Sequence, residues 1–320
     1  WAWGLAILAT LLGVAAGPSN LLVGRSEVEN LAFEGLTLQF LFMSRSLSLL
    51  AMVMLIFLLK YTEDPSQNRK NIRAILIFAP LFLIINYLPA LPRFVLFGLF
   101  LAISTAFVNY FQPRNKAMMA FASVFILFVI FPVIKSLGSE GLSWSAFTDR
   151  LNLDTMAAYL LRVDFDAFMQ IASTLEYYME DVGPIIYGAN FIGVILFFIP
   201  RALWPSKPIP TGMVVSEELG YSYLNVSSPL PAEALMAFGL LGPVFVLGIL
   251  GFFVAKVESE ANLLKVACIS AQSYFVYALL MAFIVIILRG SLNAVAPMFA
   301  TAFLALMFIQ FFRKRQFSFK

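Results

Sequence analysis

An apolar run closes at Ile199 and is followed by Pro-Arg-Ala-Leu-Trp-Pro-Ser-Lys-Pro, residues 200–208. Proline removes a backbone donor and biases the residue before it away from helix, so Pro200, Pro205 and Pro208 predict a stiff, extended ribbon. Arg201 and Lys207 flank Trp204 on that ribbon. A guanidinium is a planar fork matched to phosphate oxygens, and an ammonium is a compact point charge. An indole face suits a sugar ring or a membrane interface. The stretch reads as an anion clamp beside a membrane. It also suits a helix stop with an interfacial Trp and snorkelling cations.

Other charges stand inside or at the edge of apolar runs, where a charge is costly and marks function by default. Arg45 lies in Phe-Met-Ser-Arg-Ser, Arg93 follows Leu-Pro-Ala-Leu-Pro, and Arg289 sits in a short turn before Gly290. Arginines gathered at one leaflet need an anionic partner, and the chain has few acids at that depth. An external anion is the expectation. No histidine occurs, which excludes His-based acid–base work and His metal ligands. A proton acceptor must then be a carboxylate. Glu233 is the first candidate and Asp166 the second. Glu233 also suits a plain helix start, where an acid complements the macrodipole. Arg162 and Asp166, four apart on one helix face, form either a site pair or a surface ion pair. Tyr221 and Tyr223 either stack on a sugar or serve as interfacial tyrosines.

The elements that would position these residues are helices. Hydrophobic residues make up 61% of the chain and charged ones 12%, the balance of an all-α, polytopic membrane protein rather than a soluble domain. Spans are predicted over about 1–17, 37–59, 72–88, 93–111, 117–135, 231–255, 266–288 and 291–312. The chain opens inside an apolar run at Trp1, which suggests that further spans precede it. The segment 183–199 decides topology. If it spans, the basic tail lands outside with Lys256 and Lys265; if it does not, those residues fall inside with Lys60, Arg69, Lys70, Arg73, Arg114 and Lys116. The positive-inside rule favours the second reading, with 183–199 interfacial or re-entrant. The expected divisions are membrane spans over 1–135, a large extracytoplasmic region over 136–230 with amphipathic helices, and spans with a basic cytoplasmic tail over 231–320. Within the middle region, apolar residues recur at helical spacing over about 154–179, predicting a helix that lays its apolar face against the spans. The single cysteine, Cys268, permits no intrachain disulfide. A net charge of +3 gives no ground for a nucleic-acid partner, and no glycine pattern for ATP or NAD occurs.

Pro200, Arg201, Trp204, Pro205, Lys207 and Pro208, then Ser228-Pro229, Glu233 and Gly239-Leu-Leu-Gly242, resemble the Wzy-type O-antigen polymerases; Arg93 and Arg289 fit the same layout. The resemblance implies a bacterial inner-membrane glycosyltransferase whose site faces the periplasm or cell exterior. It would transfer a growing glycan between undecaprenyl-diphosphate-linked repeat units, needing no cofactor because the diphosphate linkage supplies the energy. Membrane lipids surround such a protein, and a chain-length regulator is a further partner the family admits. The implied diphosphate and substrate contacts are Arg45, Arg93, Arg162, Arg201, Trp204, Lys207, Arg289, Tyr221 and Tyr223. An O-antigen ligase shares the layout, although such ligases usually carry a functional histidine in the outer loop. A transporter or flippase of an anionic lipid-linked glycan remains a reading from another class.

Overall fold

Apolar runs fold as helices here because their side chains seek burial while the helix pairs its own backbone groups. The structure is a computed structural model and describes residues 1–23, 36–110, 112–130, 166–179, 185–199, 201, 203–221, 226–266 and 271–318. Among the described residues there are helices and no strand. The helices are α1 (Ala2–Ala15), α2 (Pro18–Leu21), α3 (Leu36–Tyr61), α4 (Pro65–Ile85), α5 (Arg93–Phe107) and α6 (Pro113–Phe125). They continue as α7 (Ala167–Met179), α8 (Ala189–Ile195), α9 (Thr211–Glu218), α10 (Leu230–Phe238), α11 (Gly242–Val266), α12 (Ala271–Arg289) and α13 (Leu292–Ser318). Among the described residues each predicted span overlaps a helix, and the one expected over 231–255 is divided between α10 and α11. Two helices, Gln39–Tyr61 and Leu230–Ser259, are long and apolar enough to cross a membrane. By contrast α8 covers only 7 residues of the 183–199 segment. At 1.5 Å per residue it is about 10 Å long, too short to cross a bilayer.

Helix starts follow local chemistry. Asp64 caps α4 by accepting from the Ser66 amide at 2.9 Å, with Pro65 at the first position, where no backbone donor is missed. Pro113 opens α6 in the same way.

The chain divides into two compact units. The first comprises Trp1–Phe107, Ile269–Phe283 and Val295–Lys320. Here α1 buries Ala2, Ala6, Ala9 and Gly13 against α3. Small residues let two helix backbones approach closely, and a Cβ on Gly13 would stand 3.0 Å from Ser44 Oγ. That closeness lets the Ser44 hydroxyl donate to the Ala9 carbonyl at 2.7 Å.

The second unit comprises Val108–Cys268 and Ile284–Ala294. Its partition follows contact rather than membrane position, so it joins 108–135 and 231–268 to the middle region. The pivotal feature is the break between α10 and α11. Gly239 has φ +69°, a conformation that favours glycine. A Cβ on Gly242 would run into the Ala234 carbonyl oxygen. Both glycines of the Gly239–Gly242 motif are therefore demanded by backbone geometry. The segment before α8 then covers the end of α10. The Ile186 amide donates to Met236 O at 3.1 Å and the Gly188 amide to Ala237 O at 3.2 Å. These bonds satisfy carbonyls that the helix end would otherwise leave open.

The orientation of α7 differs from the sequence expectation. Its buried side chains are Gln170, Ser173, Thr174 and Tyr177. Its apolar face points outward, with Phe168 78% and Met179 64% exposed. The polar residues turn inward because Asp166, at the start of this helix, and Ser173 find hydrogen-bond partners inside the unit. Residues 154–165 of the expected helix lie outside the described residues.

Candidate functional site

The second unit holds two linked polar clusters built around Glu233 and Asp166. Glu233 stands in the first turn of α10 and is fully buried. Its Oε2 accepts from Thr211 Oγ1 at 2.6 Å and from Asn190 Nδ2 at 2.8 Å. The same Asn190 amide nitrogen donates to the Glu233 backbone carbonyl at 2.9 Å. The carboxylate thus joins α8, α9 and α10. Ser228 and the Leu292 amide also face it electrostatically. Neither completes a hydrogen-bond geometry, and both Glu233 Oε1 and Ser228 Oγ are buried without a hydrogen-bond partner. A buried acid ringed by donors, with one oxygen unspent, is held in place more than it is displayed. In this conformation it offers no open path to an acceptor hydroxyl, which a general base must touch.

Asp166 precedes α7, and its backbone carbonyl accepts from the Gln170 amide at 2.8 Å. Its Oδ1 accepts from Ser227 Oγ at 2.7 Å and from Arg289 Nη2 at 3.2 Å. Its Oδ2 accepts from the Ser227 amide at 3.2 Å. The Asp166 and Arg289 side chains are 8% and 27% exposed. A carboxylate and a guanidinium 123 positions apart in sequence therefore meet at the edge of the unit, with the cation the more open of the two. Arg289 ends α12, where a cation also complements the helix C-terminus. Ser227 and Ser228 adjoin each other, so the segment before α10 serves both acids.

The proline-rich stretch is differently built. Pro200 lies outside the described residues, and turns stand at 201, 203 and 205–206 where an extended ribbon is expected. The Lys207 amide donates to Trp204 O at 3.0 Å, closing a turn with Pro205 at the position where its fixed φ fits. Arg201 donates from Nη1 to Lys207 O at 2.7 Å and from Nη2 to Pro208 O at 3.1 Å. Lys207 Nζ donates to Phe197 O at 2.7 Å and Ile199 O at 2.9 Å. Burial and then the neighbouring Arg201 charge hold the Lys207 ammonium below its ordinary value. Both cations are thus turned onto the loop's own carbonyls, which gives the stretch a bracing role in this conformation. Trp204 Nε1 donates to Ser206 Oγ at 3.1 Å. Tyr221 brings its hydroxyl within 2.6 Å of Ser173 Oγ on α7.

Arg45 and Arg93 belong to the first unit. Arg45 is 5% exposed within α3; its Nε donates to Ile85 O at 3.3 Å, and its Nη2 is buried without a hydrogen-bond partner. Arg93 opens α5, half-buried. Arg162 and Tyr223 lie outside the described residues. Sequence reading gave no role to Asn190, Thr211 or Ser227, and named Ser228 only as part of the Ser228-Pro229 motif. Ser-Ser-Pro before an acid was a signal for the two serines; nothing in the sequence ties Asn190 or Thr211 to Glu233. Among the described residues no group of three His, Cys, Asp or Glu side chains could hold a metal ion. No family model, curated protein or solved structure matches the chain, so these contacts and the sequence itself carry the functional reading.

Proposed function

We propose that the protein is a multi-pass enzyme of the bacterial cytoplasmic membrane that polymerises undecaprenyl-diphosphate-linked oligosaccharide units on the outer face. The observation that carries this reading is the Asp166–Arg289 pair, 3.2 Å apart, with the acid nearly buried and the cation partly open. The motif resemblance around 200–242 and the placement of Lys and Arg in loops support it.

In the proposed reaction, a sugar hydroxyl of the acceptor attacks the anomeric carbon of the donor glycan. The bond from that carbon to the diphosphate oxygen breaks, and the lipid diphosphate leaves with the bonding electrons. Arg289 stabilises the charge that builds on the leaving group. Asp166 is oriented by Ser227 and takes the hydroxyl proton. Of the two acids it is the one beside a partly open cation, which reverses the order of preference drawn from sequence. Glu233 is then a positioning residue that holds α8 and α9 against α10 beside the site. Membrane lipids, lipid-linked donor and acceptor, and a regulator of chain length are the proposed partners.

The test is incubation of purified protein with lipid-linked repeat units in detergent. A ladder of lengthening glycans is expected. It disappears in Arg289→Ala, and in Asp166→Asn initial rate falls by about 10²–10⁴-fold while donor binding persists. Donor binding without any product in the native protein would refute polymerisation and leave transport. Transfer of a finished glycan to a lipid acceptor, without a ladder, would identify a ligase.

A further inference from the structure

Helix α7 is turned against the pattern of a soluble protein. At about 100° per residue, its buried positions Asp166, Gln170, Ser173, Thr174 and Tyr177 fill one continuous arc. The opposite arc carries Phe168, Ala172, Leu175 and Met179, all exposed. Glu176 and Met169 are exposed at one edge of that arc. Water does not account for this arrangement, since it places the polar side chains inside and the large apolar ones outside.

The same unit shows what lies against that face. α7 packs on α10, and α10 continues through the Gly239–Leu241 break into α11. The Leu230–Ser259 segment is long and apolar enough to cross a membrane, and its most apolar stretch is only 17% buried. Its exposed residues include Val244, Phe245 and Phe252. An outward apolar surface on a segment of spanning length meets lipid, and α7, which packs on the first helix of that segment, also turns apolar residues outward. A helix lying in an interface buries its apolar arc among acyl chains and keeps its polar edge in the headgroup layer. Glu176 supplies that edge.

We infer that α7 is itself membrane-embedded, lying along one leaflet with Phe168, Leu175 and Met179 among the acyl chains and its polar face closing the Asp166–Arg289 site from the lipid side. The inference rests on the membrane part of the function proposed above and is independent of the sugar chemistry. It gives the site a lipid wall, so a lipid-linked substrate would approach within the leaflet while its polar group reaches the inward face.

Single cysteines carrying an environment-sensitive fluorophore test it. They are placed at Phe168, Leu175, Met179 and Glu176, with Phe252 on α11 as the reference, in a Cys268→Ala background. The protein is reconstituted in phosphatidylcholine vesicles containing lipids spin-labelled high or low on the acyl chain. The expected result is loss of emission with the spin-labelled lipids at Phe168, Leu175 and Met179, greater for the label high on the chain. Aqueous iodide should quench Glu176 and leave those three unaffected. Phe252 should be quenched by lipid labels alone. Iodide quenching at all α7 positions, with Phe252 still lipid-quenched, overturns the inference and leaves the membrane reading intact. Iodide quenching at Phe252 as well overturns both. Shielding of the α7 positions from both quenchers means that protein covers this face, and also overturns the inference.

Discussion

Replacing Glu233 by alanine removes the side chain on which three helices meet. Two donors lose their acceptor, Thr211 Oγ1 and Asn190 Nδ2. Asn190 keeps the Glu233 backbone carbonyl, whereas the Thr211 hydroxyl, 1% exposed, keeps nothing. An orphaned buried donor costs about 1–3 kcal/mol. With one donor wholly and one partly orphaned, plus the cavity left by a fully buried side chain, the loss is about 3–5 kcal/mol. For a chain of this size that lowers the unfolding midpoint by roughly 4–7 °C. The same reasoning fixes a second measurement. Thr211→Val alone takes a donor from the buried Glu233 carboxyl group, at a cost of about 1–3 kcal/mol. In the Glu233→Ala background it instead removes an orphaned hydroxyl and costs nothing or stabilises. The assay is thermal unfolding of the purified native, single and double variants in one detergent at one scan rate. A coupling of about 1–3 kcal/mol between the sites is expected. Effects additive to within about 0.5 kcal/mol would show that the two residues do not share a contact, and the cluster described here would fail.

Gly242→Ala forces a methyl into the Ala234 carbonyl, and backbone cannot yield as a flexible side chain does, so a loss of about 3 kcal/mol or more is expected in the same unfolding assay; Gly248→Ala, with nothing within 4 Å, is the neutral control. Arg289→Lys keeps the charge opposite Asp166 but not the fork, so lipid-diphosphate binding should weaken by about ten-fold with folding retained, as read by donor titration. Lys207→Met removes the donor that holds the Phe197 and Ile199 carbonyls. It should loosen the loop, read as faster proteolytic cleavage near residue 200, while leaving donor affinity within about two-fold if the cation braces the loop rather than binding diphosphate.

The apolar runs and their breaks determined the helices. Runs of 17 or more apolar residues have one economical way to satisfy their backbone, and prolines at positions 65, 113 and 231 mark helix starts in the sequence itself. Glu233 and Arg289 stood out in the sequence because each is an ionisable side chain at the edge of an apolar run, where a charge is costly, and Asp166 because a chain without histidine leaves carboxylates as the proton acceptors. What tertiary structure decided was the partners. Asp166 meets Arg289 across 123 positions and Glu233 meets Asn190 across 43, and no local spacing encodes contacts made by packing. It also decided which carbonyls Arg201 and Lys207 reach. Their types suit phosphate equally well, but turns placed unsatisfied carbonyls within reach, and a donor takes the nearest acceptor. The clearest case is α7. Periodicity revealed two faces correctly, yet could not say which one turns inward, because that depends on whether the surroundings are water or lipid and on where Ser227, Tyr221 and Arg289 come to stand.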